Sequence, residues 1–183
     1  FRCLYCANPE TIPIGEGGKL IEASEVLRRA INEKPFFGRR GGVTFSGGEP
    51  TVQAQELIPI CKELKANGIH ICLDSNGSIR NKYVEELWDL VDMVLLDCKQ
   101  INPQRHEVLT ASANLQTLRT AEYLHSIGKP VRLRYVLVPG YSDAEEDLHA
   151  LGKHFGKYGN IERVEILPYH TCGKHKYENI GQK

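Results

Sequence analysis

Five short runs of β-branched and other apolar residues recur along the chain, and each hands over to a turn cluster. The runs are Gly42–Phe45, Ile69–Leu73, Met93–Leu96, Val131–Val138 and Arg163–Leu167. Segments of helical period separate them. Glu56–Asn67 places Leu57, Ile60, Cys61 and Leu64 on one stripe, and Asn114–Ile127 does the same with Leu115, Leu118, Ala121 and Leu124. Gly68 and Gly128 stand where left-handed caps would close these two helices. Ser24–Ile31, Asn81–Leu90 and Asp143–Phe155 predict three more, with Val84, Leu87 and Trp88 turned inward from the second of them. Strands joined through helices need crossover connections. The sequence therefore predicts an α/β domain built on a parallel sheet of five strands with right-handed units, open or closed into a barrel. No linker or break in composition divides residues 1–183, so a single domain is expected.

Charge and cysteine usage narrow the function classes. Lys plus Arg equals Asp plus Glu at 23 each, so no net field favours nucleic acid or an anionic membrane. No apolar run approaches the ~18 residues that span a bilayer. Six cysteines in a chain of ordinary globular composition read as reduced thiols or metal ligands rather than a disulfide scaffold, which points to the cytoplasm. Cys61, Cys72, Cys98 and Cys172 read as small core hydrophobes. The chain opens on Phe1 rather than Met, so further residues ahead of it are expected.

In parallel α/β folds the site lies at the carboxyl ends of the strands. Here all five strands end there in polar or glycine-bearing clusters: Ser46-Gly47-Gly48-Glu49-Pro50, Asp74-Ser75-Asn76-Gly77, Asp97-Cys98-Lys99, Pro139-Gly140-Tyr141 and Pro168-Tyr169-His170. Two glycines leave backbone groups open to a ligand while Glu49 adds an anion, a chemistry suited to an ammonium group. Arg132 and Arg134 share one face of their strand. If that face lines the interior, Arg134 is a carboxylate partner through charge-assisted bonding. Cys3-Leu4-Tyr5-Cys6 admits three readings: a redox dithiol, half of a zinc site, or part of an iron–sulfur ligand set. Pro9 disfavours the helix that a dithiol motif opens, and no second Cys pair at zinc spacing follows.

Taken together, Phe1-Arg2-Cys3-Leu4-Tyr5-Cys6-x-Asn8, Gly41 through Pro50, Leu73 through Gly77, Leu96 through Gln100 and Leu167-Pro168-Tyr169-His170 with Gly173-Lys174-His175-Lys176 resemble the radical S-adenosylmethionine enzymes that activate glycyl radical enzymes. The resemblance runs the length of the chain. It implies a partial parallel (β/α) barrel whose first strand lies ahead of Phe1, a 4Fe–4S cluster, and S-adenosylmethionine chelated to its open iron. One-electron cleavage would then give a 5′-deoxyadenosyl radical that takes hydrogen from a glycine Cα of the partner, a glycyl radical enzyme of pyruvate formate-lyase type. The electron donor would be a flavodoxin or ferredoxin.

Carried over by position, Cys3 and Cys6 would be the second and third thiolates of the family's Cys-x-x-x-Cys-x-x-Cys motif, with the first two positions ahead of Phe1. Gly47, Gly48 and Glu49 would hold the methionyl amino group, and Lys99 would approach its carboxylate. Tyr5, Asn8 and His170 would lie around the adenosine or the cluster loop. Asp74, Ser75, Leu95 through its carbonyl, and Asp97 resemble positions around a monovalent cation. The stretch from Ala7 to Ser46 has no cysteine, so auxiliary clusters are not expected. The chain is expected to be a core fragment that lacks one cluster ligand and is itself inactive. Residues 1–6 are expected to be poorly anchored, and the tail from Thr171 to wrap the surface or fray. A radical enzyme acting on a small molecule and a non-catalytic zinc or thiol module are the competing readings.

Overall fold

The structure, a computed structural model, describes residues 1–12, 18–39 and 41–179. Its five strands, β1 (Val43–Phe45), β2 (Ile71–Ser75), β3 (Met93–Asp97), β4 (Val131–Leu137) and β5 (Ile161–Pro168), form one sheet in the order 1-2-3-4-5. Every neighbouring pair is parallel. Helix α1 (Ala23–Glu33) precedes the sheet, and α2 (Ala54–Ala66), α3 (Lys82–Leu90), α4 (Pro103–Thr110), α5 (Leu115–Ser126) and α6 (Glu145–Phe155) connect its strands. Helix α7 (Lys174–Asn179) follows β5. All five predicted strands are present. Among the described residues β1 and β5 remain the two edges, so the sheet is open, as in a partial barrel.

An unbroken strand order with right-handed crossovers puts the connecting helices on one side of the sheet. The burial pattern follows this. Ile71, Leu73, Val94, Leu96, Val131, Leu133 and Tyr135 are buried, whereas the alternating Cys72, Asp74, Met93, Leu95, Asp97, Arg132 and Arg134 are only half-buried. The covered face joins Leu64, Val84, Leu87, Trp88, Leu124 and Phe155 in the core. Gly68 and Gly128 adopt φ of 64° and 65° and close α2 and α5 as the sequence predicts. Leu115 does not join its stripe: it is exposed on the first turn of α5, where Asn114 takes the buried position and donates to the carbonyls of Gln100 and Ile101.

Two helices go beyond the sequence reading. The Asn102 side chain accepts from the backbone N–H groups of Gln104 and Arg105, and Pro103 opens α4 at the position where a missing N–H costs nothing. At its other end Ala111 takes a left-handed conformation with φ of 56°. That end receives the start of the chain: the Arg2 and Leu4 N–H groups donate to the carbonyls of Thr110 and Leu109, both at 2.9 Å. The first residues are thus docked rather than loose, because the end of α4 supplies carbonyls that hold them. The tail is also held. Lys176 on α7 bonds Asn8 at 2.5 Å and Glu10 at 2.9 Å. Among the described residues no helix is long and apolar enough to cross a membrane.

Left-handed backbone costs an L residue roughly 1–2 kcal/mol, while glycine costs less than that in extra unfolded-state entropy. Ala111→Gly should therefore raise stability by about 1 kcal/mol, read as a thermal midpoint about 2–4 °C higher. An unchanged or lower midpoint would contradict the left-handed assignment at this position.

Candidate functional site

The bare face of the sheet carries the charge. Sheet register sets Asp74 beside Leu95, and Asp97 beside Arg134, all on the side away from the helices. An Arg134 guanidinium nitrogen and the Ser46 hydroxyl both donate to Oδ2 of Asp74 at 2.9 Å. Lys99 Nζ donates to Asp97 Oδ2 at 2.6 Å. Burial works against the charge of Lys99, but Asp97 and then Tyr5 outweigh it, and the ammonium is held above the ordinary lysine range. Arg134 behaves alike: burial opposes its charge, and Asp74 and Asp97 restore it. Two ion pairs, each partly shielded from water, thus stand at the carboxyl ends of β2, β3 and β4.

The loop after β1 is braced from inside. Glu49 accepts from the Thr51 N–H and hydroxyl and from the Ser75 hydroxyl through one oxygen, at 3.1, 2.6 and 2.7 Å. Its other oxygen accepts from the Asn76 N–H at 2.8 Å. The carboxylate therefore ties the β1 loop to the β2 loop. Any ammonium it met would share it with four protein donors. Gly47 has φ of 128°, a conformation that side chains rarely adopt, and no atom of the described residues lies within 4 Å of where its Cβ would stand. Ser75 is buried with its hydroxyl between Glu49 and the Gly77 N–H, on the face opposite Asp74.

The cysteine turn lies above these pairs. The Cys6 N–H donates to the Cys3 carbonyl at 3.1 Å, which sets both thiols on one tight turn. Burial pushes the Cys3 thiol up, and the nearby Lys99 charge opposes it. Tyr5 stands over Lys99, 5.8 Å from ring centre to ammonium, and meets the Tyr169 ring edge-on at 6.4 Å. Its buried hydroxyl has no hydrogen-bond partner among the described residues. Burial, opposed by Lys99, pushes that phenol well above its ordinary range. A cleft of about 240 Å³ runs along the turn, lined by Tyr5, Cys6, Tyr169, His170, Lys174 and Tyr177 among others. Away from the turn, burial pushes the Cys98 thiol up to about 12 and Cys61 to about 11, as suits inert core thiols.

The candidate residues thus fall into two adjoining groups. Asp74, Asp97, Lys99 and Arg134 gather on the bare face, with Gly47, Gly48 and Glu49 at its edge; Cys6, Tyr5 and His170 line the cleft, and Tyr5 joins the groups through Lys99. His170 shares no contact with Asp74 or Asp97 among the described hydrogen bonds. Asn8 is turned to Lys176. Sequence reasoning missed Ser46 as the second donor to Asp74, Tyr169 and Tyr177 as cleft walls, and Lys176 as the anchor of Asn8. Of these, Ser46 and Tyr169 sat in quoted strand-end clusters; the other two lie on the helix of the tail.

Residues 1–151 match the Radical SAM superfamily. The chain is 43% identical over 187 aligned positions to the pyruvate formate-lyase-activating enzyme of Staphylococcus epidermidis, spanning 98% of this chain and 74% of that one. It is 42% identical, over the same shares, to that of Staphylococcus aureus. Among solved structures it superposes at a TM-score of 0.66 on a domain of pyruvate-formate lyase-activating enzyme from Bacteroides vulgatus, with 24% identity over 78% of this chain and 96% of that domain. It superposes at 0.71 on Streptococcus suis SuiB bound to S-adenosylmethionine, with 19% identity over 92% of this chain and 38% of the other. These two share its fold. The sequence relatives settle membership: the chain belongs to the radical SAM superfamily and, within it, to the family of pyruvate formate-lyase-activating enzymes.

Proposed function

We propose that the protein activates a glycyl radical enzyme by removing a hydrogen atom from a glycine Cα of that partner. When bound, a 4Fe–4S cluster with S-adenosylmethionine supplies the electron and the carbon radical that such an abstraction needs. The observation that supports this most is the Cys3–Cys6 turn with Tyr5 on it, whose ring centre lies 5.8 Å from the Lys99 ammonium and whose buried hydroxyl has no partner among the described residues. The donor chemistry fits: two soft thiols on one turn suit an iron–sulfur cluster, and a buried hydroxyl without a partner asks for a polar ligand. On the family's spacing the first thiolate of the motif would lie two positions ahead of Phe1.

In this reading Cys3 and Cys6 hold the cluster. Lys99 presents its ammonium to the cofactor's carboxylate, and the backbone at Gly47 and Gly48 with Glu49 receives its amino group. Tyr5, Asn8 and His170 bound the adenosine end. Asp97 and Asp74 keep Lys99 and Arg134 charged in a half-buried setting, so the anion meets a fixed cation rather than a mobile one. Hard oxygens from Asp74, the Leu95 carbonyl and Asp97 suit a monovalent cation; the Ser75 hydroxyl would have to turn from Glu49 to join them. The bare face, over which no connecting helix lies among the described residues, leaves room for a loop of a protein substrate, which favours a protein over a small molecule as the hydrogen source. A flavodoxin- or ferredoxin-type donor would supply the electron, in an anaerobic cytoplasm. Residues 1–183 act as one domain.

Two outcomes test the reading. The chain extended upstream through its first motif cysteine, reconstituted anaerobically with iron and sulfide and then reduced, should release 5′-deoxyadenosine from S-adenosylmethionine. The 183-residue chain should release little; equal turnover by both would overturn the ligand assignment. In the extended protein, Lys99→Ala should weaken S-adenosylmethionine binding roughly 10- to 100-fold, the range of one charge-assisted bond, without loss of fold. Unchanged titration calorimetry would remove Lys99 from the site.

A further inference from the structure

Asp147 is a carboxylate that the proposed chemistry does not use, yet it is 3% exposed on the first turn of α6. Its Oδ2 accepts from Gln100 Nε2 at 2.7 Å and from an Arg105 guanidinium nitrogen at 2.6 Å. A buried charge is expensive unless it is paired and bonded, so a carboxylate placed here needs a reason beyond the stability of α6. Both of its partners lead to the site.

The first route runs through Gln100, the residue after Lys99. Gln100 is wholly buried and its amide is fully engaged: Nε2 also donates to the Tyr141 carbonyl at 2.8 Å, and Oε1 accepts from the Asn102 N–H at 3.0 Å. Its own carbonyl accepts from Asn114 Nδ2 at 3.2 Å. The residue that follows Lys99 is thereby fixed from the loops after β3 and β4 and from the start of α5. The second route runs through Arg105 into α4. The far end of α4 supplies the Leu109 and Thr110 carbonyls that hold Leu4 and Arg2, on either side of Cys3. That end is itself stiffened by buried His106, whose Nδ1 lies 2.7 Å from the Ser112 carbonyl, and by the Thr110 hydroxyl, which donates to the His106 carbonyl at 2.9 Å.

We propose that Asp147 is a positioning residue that sets Lys99 and the Cys3–Cys6 turn in register with each other, acting through Gln100 on the one and through Arg105 and α4 on the other. It touches no cofactor. Its removal would leave a buried amide and a guanidinium without their shared acceptor, and the two halves of the site would then move independently. The inference rests on the function proposed above only for what the register serves; the coupling itself is a property of this chain.

The test uses the full chain in two states. Without cluster, amide hydrogen exchange is followed at Leu4 and Asn102, which report the two routes, and at Val94, whose N–H is bonded to the Pro130 carbonyl at the opposite end of the sheet. Asp147→Ala should speed exchange about tenfold or more at Leu4 and Asn102, as expected for a buried network losing its acceptor, and leave Val94 unchanged. Asp147→Asn keeps an acceptor for Gln100 but loses the charge facing Arg105, and should loosen Leu4 while Asn102 stays protected. Glu146→Ala removes only the exposed partner of Arg105 and should change none of the three. In the reconstituted enzyme Asp147→Ala should raise KM for S-adenosylmethionine by about the same factor, with a smaller change in kcat. Equal acceleration at Val94, or no change at Leu4 and Asn102, overturns the proposal. If the wild-type protein takes no S-adenosylmethionine, the functional reading fails while the exchange measurement still decides the coupling.

Discussion

A parallel sheet whose connecting helices lie on one side must find another way to settle its second face, and the rest of this structure depends on how it does so. In most parallel sheets both faces are apolar and covered. Here the order 1-2-3-4-5 leaves one face bare, and the residues on it include Cys72, Asp74, Met93, Leu95, Asp97, Arg132 and Arg134. The pairs Asp74–Arg134 and Asp97–Lys99 make charge tolerable there at distances of 2.9 and 2.6 Å. Partly buried pairs of this kind contribute little net stability, because desolvation offsets much of their attraction. What they do supply is cations of fixed position at the strand ends, where an anionic ligand would need them.

Loops at that end are held by buried polar atoms rather than by apolar packing. Glu49 binds the loop after β1 to the loop after β2. Thr117 and Thr120 of α5 donate to the carbonyls of Asn76 and Gly77 at 2.7 and 2.8 Å. The cysteine turn rests on the carbonyls at the end of α4 and is flanked by α7 through Lys176 and Tyr177. A network of satisfied polar contacts is rigid because each bond lost strands a buried partner. The family's chemistry depends on that rigidity, since cofactor and substrate must meet within a narrow distance.

The sequence made the sheet legible because its strands repeat a simple pattern and their polar ends all fall on one side. Gly68 and Gly128 marked two helix ends correctly. Helix α4 escaped because its buried residues, His106, Leu109 and Thr110, form no apolar stripe, and Val108 is exposed. Asn102-Pro103 was its only local signal. With α4 unseen, residues 1–6 had no visible support, and so looked loose. The candidate site was legible as residue types at strand ends, but not as partners. That Glu49 is shared among Thr51, Ser75 and Asn76, or that Ser75 faces away from Asp74, follows from strand alternation and loop geometry that spacing alone does not reveal.

If this site takes hydrogen from a glycine Cα of another protein, that atom can be followed into the product. A glycyl radical enzyme partner labelled with α-deuterated glycine would be incubated anaerobically with the reconstituted, reduced full chain and S-adenosylmethionine, and the 5′-deoxyadenosine analysed by mass. One deuterium is expected in the product, together with a glycine-centred radical signal on the partner. Product formed without deuterium, and a partner without that signal, would contradict it.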